Sequence, residues 1–289
     1  MKNGQQFSDA LKVLGPVEFD RLSEFISAHC GIKMPLAKKT LLESRLQKRL
    51  RTLRLASFRE YCDYLFKGPE GANELVLMID AVTTNKTDFF REPVHFSFLT
   101  ETVLPEFSLD RRPNDGRRFQ VWSAGCSSGE EPYTLAIVLS EFAAAHPGFP
   151  FSIMATDIST RVLEKAKLGI YDEGQIAMMS YALKQSYFTR SKDRDKGLVR
   201  VTAALRSLIQ FQRLNLMDER YAILESSLDA IFCRNVMIYF DRETQQKLLA
   251  RFCRYIKTDG YLFLGHSETI HGFDLPLVRI ASTIYRKTY

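Results

Sequence analysis

Residues 123–131 of this chain read Ser-Ala-Gly-Cys-Ser-Ser-Gly-Glu-Glu, between the apolar run Phe119–Trp122 and a helical stretch from Pro132 to Ala145. A strand that breaks into a small, glycine-bounded loop and then a helix is how an open α/β sheet presents backbone to a ligand. Glu130 and Glu131 sit where the first free N–H groups of that helix point, and Pro132 suits its opening turn. A phosphate is repelled there, whereas hydroxyls or an ammonium group are welcome. The loop therefore points away from nucleotide diphosphates and toward a cationic nucleoside such as S-adenosylmethionine.

The chain around this loop changes period. From Pro16 to about Asp88 apolar residues recur at three and four: Phe19, Leu22, Phe25 and Ile26, then Leu42, Leu46, Leu50 and Leu53, then Phe58, Tyr61, Tyr64 and Leu65. That predicts an all-helical domain over 1–88. Between Lys33 and Arg59 nine Lys and Arg residues stand against Glu43 alone, and on the second helix Arg45, Lys48, Arg49 and Arg51 are expected to form an exposed basic surface.

After the turn-rich stretch Arg111–Gly116 the pattern alternates. Strands are predicted at 118–124, 151–156, 228–233 and 261–265, with helices at 159–168 and 243–256, which implies a parallel sheet covered on both faces. Leu198–Val201 and Leu208–Leu214 read as a short antiparallel excursion, and Val278–Ala281 with Thr283–Arg286 as an antiparallel edge. No run of about 18 apolar residues is present, so no membrane insertion is expected. The start, Met1–Gln6, is polar, and five scattered cysteines without a C-x-x-C pair fit reduced thiols in a cytoplasmic protein without a metal site.

Gly125-Cys126-Ser127-Ser128-Gly129 also matches the G-x-S-x-G elbow of hydrolases, with Asp229 and His266 downstream. Its place on the first strand of the sheet argues against that reading. Asp157 ends the second strand, where a carboxylate can accept both ribose hydroxyls; capping the next helix is the competing role for Asp157 or Ser159. Strand 228–233 ends in Arg234-Asn235 and then Tyr239, at the same sheet edge as the loop. Upstream, Asn85, Thr87 and Arg91 are expected on one side of a turn-to-helix segment anchored by Phe89 and Phe90.

Together Asn85–Glu92 (N-K-T-D-F-F-R-E), Trp122–Tyr133 (W-S-A-G-C-S-S-G-E-E-P-Y), Ile231–Phe240 (I-F-C-R-N-V-M-I-Y-F) and Gly265–Glu268 (G-H-S-E) resemble, in order, the chemotaxis receptor methyltransferases, the CheR family. The resemblance runs from about Phe19 to the C-terminus. It implies an α/β fold: a Rossmann-like S-adenosylmethionine-dependent methyltransferase domain over 89–289, carrying a small antiparallel β-subdomain near 190–214, behind an N-terminal all-helical domain that faces the receptor. It also implies formation of glutamate methyl esters on chemoreceptors, leaving S-adenosylhomocysteine.

Carried over by position, Asn85, Thr87 and Arg91 approach the cofactor, Arg91 also near the reacting centre. One of Glu130 and Glu131 joins them beside Gly125. Asp157 binds ribose, Asn215 and Leu216 flank adenine, Arg234 and Asn235 line the methionine end, and Tyr239 lies by the methyl group. Some relatives are tethered by a receptor C-terminal pentapeptide at a glycine-bearing loop of the β-subdomain; here that loop reads R-S-K-D-R-D-K-G, which puts tethering in question.

A glutamate carboxylate is already ionised at neutral pH, its pKa being roughly 4.3, so no general base is required. Arg91, Arg234 and Tyr239 are then the candidates for orienting the carboxylate by charge-assisted hydrogen bonds. The basic residues Arg45, Lys48, Arg49 and Arg51 are expected to meet acidic receptor helices. The rival readings are a nucleic-acid methyltransferase, against which stand the missing Asn-Pro-Pro-aromatic signature and the lack of interleaved stacking aromatics, and a non-catalytic adaptor.

Overall fold

The computed structural model describes residues 12–110 and 116–289; the polar start and positions 111–115 lie outside them. The chain divides into two compact units at Thr84/Asn85, four residues before the boundary read from the sequence. None of the described helices is long and apolar enough to cross a membrane.

The first unit is all-helical: α1 (Pro16–Cys30), α2 (Lys39–Leu53), α3 (Phe58–Lys67) and α4 (Gly71–Val82). The apolar stripes predicted for α1–α3 supply its core, with Leu22, Leu46, Leu50, Phe58 and Tyr61 buried. Helix α4 had no stripe of its own, because Leu-Val-Leu-Met-Ile is continuously apolar and carries no period.

The basic surface of α2 is smaller than expected. Arg49 donates through Nε and Nη2 to Glu74 of α4 (2.9 and 2.6 Å), and the Tyr61 hydroxyl donates to the same carboxylate (2.9 Å). Glu74 is 2% exposed. Arg45 donates to the Val82 carbonyl and to Thr84 Oγ1, closing the end of α4. These guanidiniums are drawn in because α4 ends in unpaired backbone carbonyls and carries a buried acid. Lys48 and Arg51 stay exposed, on one face with Leu41 and Ser44.

In the second unit α5 (Val94–Phe98), a π-helical turn over Leu99–Val103 and α6 (Leu104–Asp110) precede β1 (Phe119–Ala124). There follow α7 (Glu130–Ala145), β2 (Phe151–Asp157), α8 (Thr160–Leu168), β3 (Ile170–Asp172), α9 (Tyr181–Tyr187), β4 (Phe188–Arg190) and β5 (Leu198–Val201). Then come α10 (Ala203–Arg206), β6 (Ile209–Arg213), β7 (Leu228–Cys233), α11 (Arg242–Tyr255), β8 (Ile256–Leu264), β9 (Leu277–Ala281) and β10 (Ile284–Lys287).

Seven strands form one sheet in the order β6-β2-β1-β7-β8-β10-β9, the first five parallel and β10 antiparallel to both of its neighbours, β8 and β9. The order runs outward in both directions from the β1–β7 pair, so a crevice opens at their carboxyl ends. Stacked rings pack the sheet, with Phe232 on Phe263 at 4.1 Å and on Phe96 at 5.9 Å.

Two strand assignments change. Residues 209–213 are not an antiparallel excursion: β6 pairs in parallel with β2 (Ile153 opposite Ile209), because the crossover through α8 and α10 returns the chain in the same direction. The antiparallel β-subdomain is instead β3-β5-β4, within 170–201. Strand β8 starts five residues early, since Lys257–Gly260, polar and turn-like in sequence, is absorbed as a bulge with Asp259 at φ +65°.

Replacing Glu74 by Gln leaves the Arg49 charge half-buried without its partner. It should destabilise the helical unit by about 3 kcal/mol, seen as faster amide exchange in α2–α4 while the sheet amides keep their protection; uniform protection in both units would contradict this.

Candidate functional site

The glycine loop after β1 is fixed from below. Gly125 and Cys126 N–H both donate to the Thr156 carbonyl at the end of β2 (2.8 and 2.9 Å). Gly125 lies at φ +81°, and a Cβ there would fall 2.5 Å from a Val236 methyl group. Gly129, at φ +100°, would drive a Cβ into the Tyr171 hydroxyl and Ala166. Both glycines are therefore required by close approach.

Ser127 donates its hydroxyl to the Asn85 carbonyl (2.8 Å), while Asp229 sits near the amino edge, bound to Gln120 N–H and Lys257. The hydrolase triad is not assembled. Burial pushes the Cys126 thiol well up, so it is no nucleophile either.

Asp157 is buried, and its carboxylate accepts Ser127 N–H on Oδ2 and Ser159 N–H on Oδ1 (2.9 Å each). The helix cap falls to Ser159, whose hydroxyl accepts from Val162 N–H. Asp157 thus links the glycine loop to the end of β2. Its own carbonyl accepts from Leu214 N–H (3.0 Å), which brings the Asn215–Leu216 turn alongside. Asn215 Oδ1 accepts from Met217 N–H, and buried Leu216 offers its carbonyl to the Tyr221 hydroxyl.

The two glutamates of the loop diverge. Glu130 accepts from the Ser128 hydroxyl (2.7 Å) and Gln175 (3.1 Å), and burial raises its pKa. Glu131 accepts from the Ser123 hydroxyl (2.7 Å) and from Arg234 Nε (2.6 Å).

Arg234 corrects an expectation. Its side chain is 2% exposed, and it points inward: besides Glu131 it donates to the Arg91 carbonyl (2.5 Å) and to His95 Nδ1 (3.3 Å), and it lies 3.6 Å from Glu92 Oε2. Phe96 and Phe232 flank the guanidinium at 5.0 and 5.8 Å. It builds the wall of the cleft, because two buried carboxylates outbid any substrate for it.

Residues 85–88 are irregular and 89–93 form turns and bends, and helix starts only at Val94. Phe89 packs on Tyr171 (4.9 Å) and Phe188 (5.6 Å), and Phe90 on Phe96 (5.9 Å), anchoring the segment as expected. Asn85, Thr87 and Arg91 are half-buried, and Arg91 donates to the Lys86 carbonyl (3.3 Å). Tyr239 ends a 3-10 turn and is half-buried.

Glu92 and His95 are the residues that sequence reasoning missed; Glu92 closed a quoted motif, but a lone histidine before an apolar run gave no signal. Glu92 Oε1 accepts from His266 N–H (3.2 Å) and Asn235 Nδ2 (3.5 Å). Glu92 Oε2 and Asn235 Oδ1 are buried acceptors without a hydrogen-bond partner. With His95 neutral, the wall of Glu92, Glu131 and Arg234 carries one net negative charge. Buried acceptors and a negative wall suit a ligand that brings donors and positive charge, which fits S-adenosylmethionine and not a phosphate. Glu92, His95 and His266 also bring ligand-type atoms within 4.8 Å, but the Arg234 guanidinium already faces two of them and would repel a metal ion.

His95 is fully buried, and burial with the Arg234 charge depresses its pKa from 6.5 to about 4. Nδ1 accepts from Arg234, so Nε2 carries the proton toward Thr283 Oγ1 (3.0 Å). The folded state prefers the neutral ring. Its stabilisation is complete above pH 6.5 and is lost as pH falls toward 4, amounting to roughly 3 kcal/mol. Urea unfolding between pH 7 and 4 should show this loss, and His95→Gln should flatten it; an equal slope in both proteins would refute the assignment.

Comparison with known proteins identifies the family. Residues 85–285 match the family model "CheR methyltransferase, SAM binding domain", and 17–83 match "CheR methyltransferase, all-alpha domain". A chemotaxis protein methyltransferase of Borreliella burgdorferi is 42% identical, covering 88% of this chain and 89% of the relative. One of Escherichia coli is 38% identical, covering 94% and 91%. A solved SAM-dependent methyltransferase of Methanosarcina mazei aligns at 16% identity and a TM-score of 0.32 over 55% of this chain and 56% of its own, too low to carry weight. The chain belongs to the CheR family of chemotaxis methyltransferases.

Proposed function

We propose that the crevice between β1 and β7 is where this S-adenosylmethionine-dependent enzyme forms methyl esters on chemoreceptor glutamates. The observation that carries the reading is a wall of net negative charge bearing two buried acceptors without a hydrogen bond, Asn235 Oδ1 and Glu92 Oε2, the latter 3.6 Å from the Arg234 guanidinium.

When bound, S-adenosylmethionine supplies the methyl group on a sulfonium centre. Asp157, held by two backbone N–H groups, receives the ribose hydroxyls. The Asn215–Leu216 turn lies beside it and takes the adenine. Asn85, Thr87, Gly125 and the Glu130–Glu131 pair enclose the rest, with Glu131, Glu92 and Asn235 at the methionine end. Arg234 acts here by positioning Glu131 and the Arg91 backbone.

Arg91 and Tyr239 orient the incoming carboxylate. Transfer from a sulfonium to a carboxylate annihilates two charges, which water opposes, so alignment and exclusion of solvent are the main contributions of the cleft. Binding the carboxylate too strongly would stabilise the ground state, which favours half-buried groups over a fully committed ion pair.

Lys48 and Arg51, the exposed cations of α2, steer the enzyme toward acidic receptor helices; Arg45 and Arg49 are held by α4 and take no part. The β-subdomain loop is charged, with Lys196 paired to Asp193 within it (3.0 Å) and Arg190 to Glu173 after β3 (2.5 Å), which counts against a receptor tail docking on it. Five buried free cysteines suit a cytoplasmic site of action.

Asp157→Ala should weaken S-adenosylhomocysteine binding in calorimetry by about 10-fold or more; unchanged affinity would remove the ribose assignment. The double charge reversal Lys48→Glu/Arg51→Glu should slow receptor methylation several-fold at low salt, by a factor that shrinks as salt rises, and leave that affinity alone. Equal rates at low salt would dispose of the steering role.

A further inference from the structure

The G-H-S-E segment lies on the loop after β8, and its glutamate is tied up with backbone. Glu268 is 5% exposed. Its Oε2 accepts from Asn235 N–H (2.9 Å) and Gly265 N–H (2.6 Å), and its Oε1 from Met237 N–H (2.7 Å). Burial raises its pKa, against which these backbone N–H groups, with that of Ile238, favour the charged form. Glu268 N–H closes the turn by donating to the Gly265 carbonyl (2.9 Å). A Cβ added at Gly265 would fall 2.4 Å from Asn235 Nδ2 and 2.8 Å from its backbone nitrogen, so the two loops meet backbone to backbone. Between these contacts Asn235 is held at φ +60°.

Three of these donors, Asn235, Met237 and Ile238, belong to the loop after β7 that bears Arg234, Asn235 and Tyr239, and the fourth, Gly265, opens the loop after β8. A carboxylate has the lone pairs to accept them all, and no neutral side chain of that size does. Gly265 supplies the space and Glu268 the clasp. We propose that Glu268 is a positioning residue for methyl transfer: by fastening the loop after β7 to the loop after β8, it sets Asn235 Oδ1 and the Tyr239 turn toward the reacting centre. This rests on the placement of Asn235 and Tyr239 proposed above.

Glu268→Gln tests it, because the amide turns an N–H₂ group against a backbone N–H while keeping the volume. Asp229→Asn is the structural control: Asp229 is also a buried carboxylate on backbone (Gln120 N–H, 2.8 Å), but near the opposite edge of the sheet. Thermal unfolding, calorimetry with S-adenosylhomocysteine, and methyl transfer to receptor-bearing membranes are measured on each full-length protein. Glu268→Gln should raise the dissociation constant and lower kcat/KM for S-adenosylmethionine, each by about 10- to 100-fold. Asp229→Asn should lower the melting temperature and leave both constants unchanged. Should the Gln variant not fold, Glu268→Asp, which keeps the charge and shortens the reach, is read the same way.

Loss of thermal stability alone, with wild-type affinity and kcat/KM, overturns the proposal. Asn235→Ala separates the two ways of failing. If it is impaired while Glu268→Gln is silent, the positioning role falls by itself. If both are silent, the placement of the methionine end is wrong and the positioning role falls with it.

Discussion

The buried pair between Arg234 and Glu131, at 2.6 Å, is the contact around which the second unit arranges its cleft. Moving either ion out of water costs several kcal/mol, recovered only when the geometry is close and the remaining donors are satisfied. Arg234 meets that condition by reaching three separate elements: the start of α7, the backbone at Arg91, and α5 through His95. The segment 85–93 is thereby stitched to the carboxyl ends of β1 and β7. It has no regular structure of its own; besides this stitching, Phe89 and Phe90 packing, the Ser127–Asn85 bond, Phe90 N–H on Thr134 and Glu92 on His266 N–H hold it to the sheet.

Strain collects in the same place. Phe90, Glu92, Ser127 and Asn235 all have positive φ without being glycine, and all four lie in the loops that meet at the crevice. Each left-handed residue costs about 1 kcal/mol or more, so they persist because packing and charge over-determine them. Phe89 and Phe90 fix one loop in apolar surface, Asp157 fixes Ser127, and Glu268 fixes Asn235. The cleft is built before any ligand arrives.

Much of this was legible in the residues. The glycine loop, the acid ending β2 and the Arg-Asn ending β7 follow from an alternating pattern, since each lies at the carboxyl end of a strand whose direction the crossovers dictate. Side-chain partners were not legible. Arg49 looks like a surface cation in its own helix, yet its acid is Glu74, on another helix 25 residues away. Arg234 looked free to meet a substrate because Glu131 and the Arg91 carbonyl lie more than 100 residues off. The orientation of β6 was hidden for a related reason: five residues of strand carry no sign of whether a neighbour runs with or against them.

The charge balance of the wall bears on the chemistry. A sulfonium next to a carboxylate is most stable when both are hydrated, and a protein gains by replacing water with groups that respond weakly to the loss of charge. A free guanidinium would do the opposite, since it would hold the carboxylate hardest before transfer. By pairing Arg234 with Glu131 and keeping His95 neutral, the fold buries the strongest cation and leaves one net negative charge, which on the proposed reading balances the cofactor. Arg91, half-buried and bonded to a backbone carbonyl, is then the cation to which the proposed reading gives orientation. On the proposed reading, cofactor affinity and substrate alignment thus fall to different side chains.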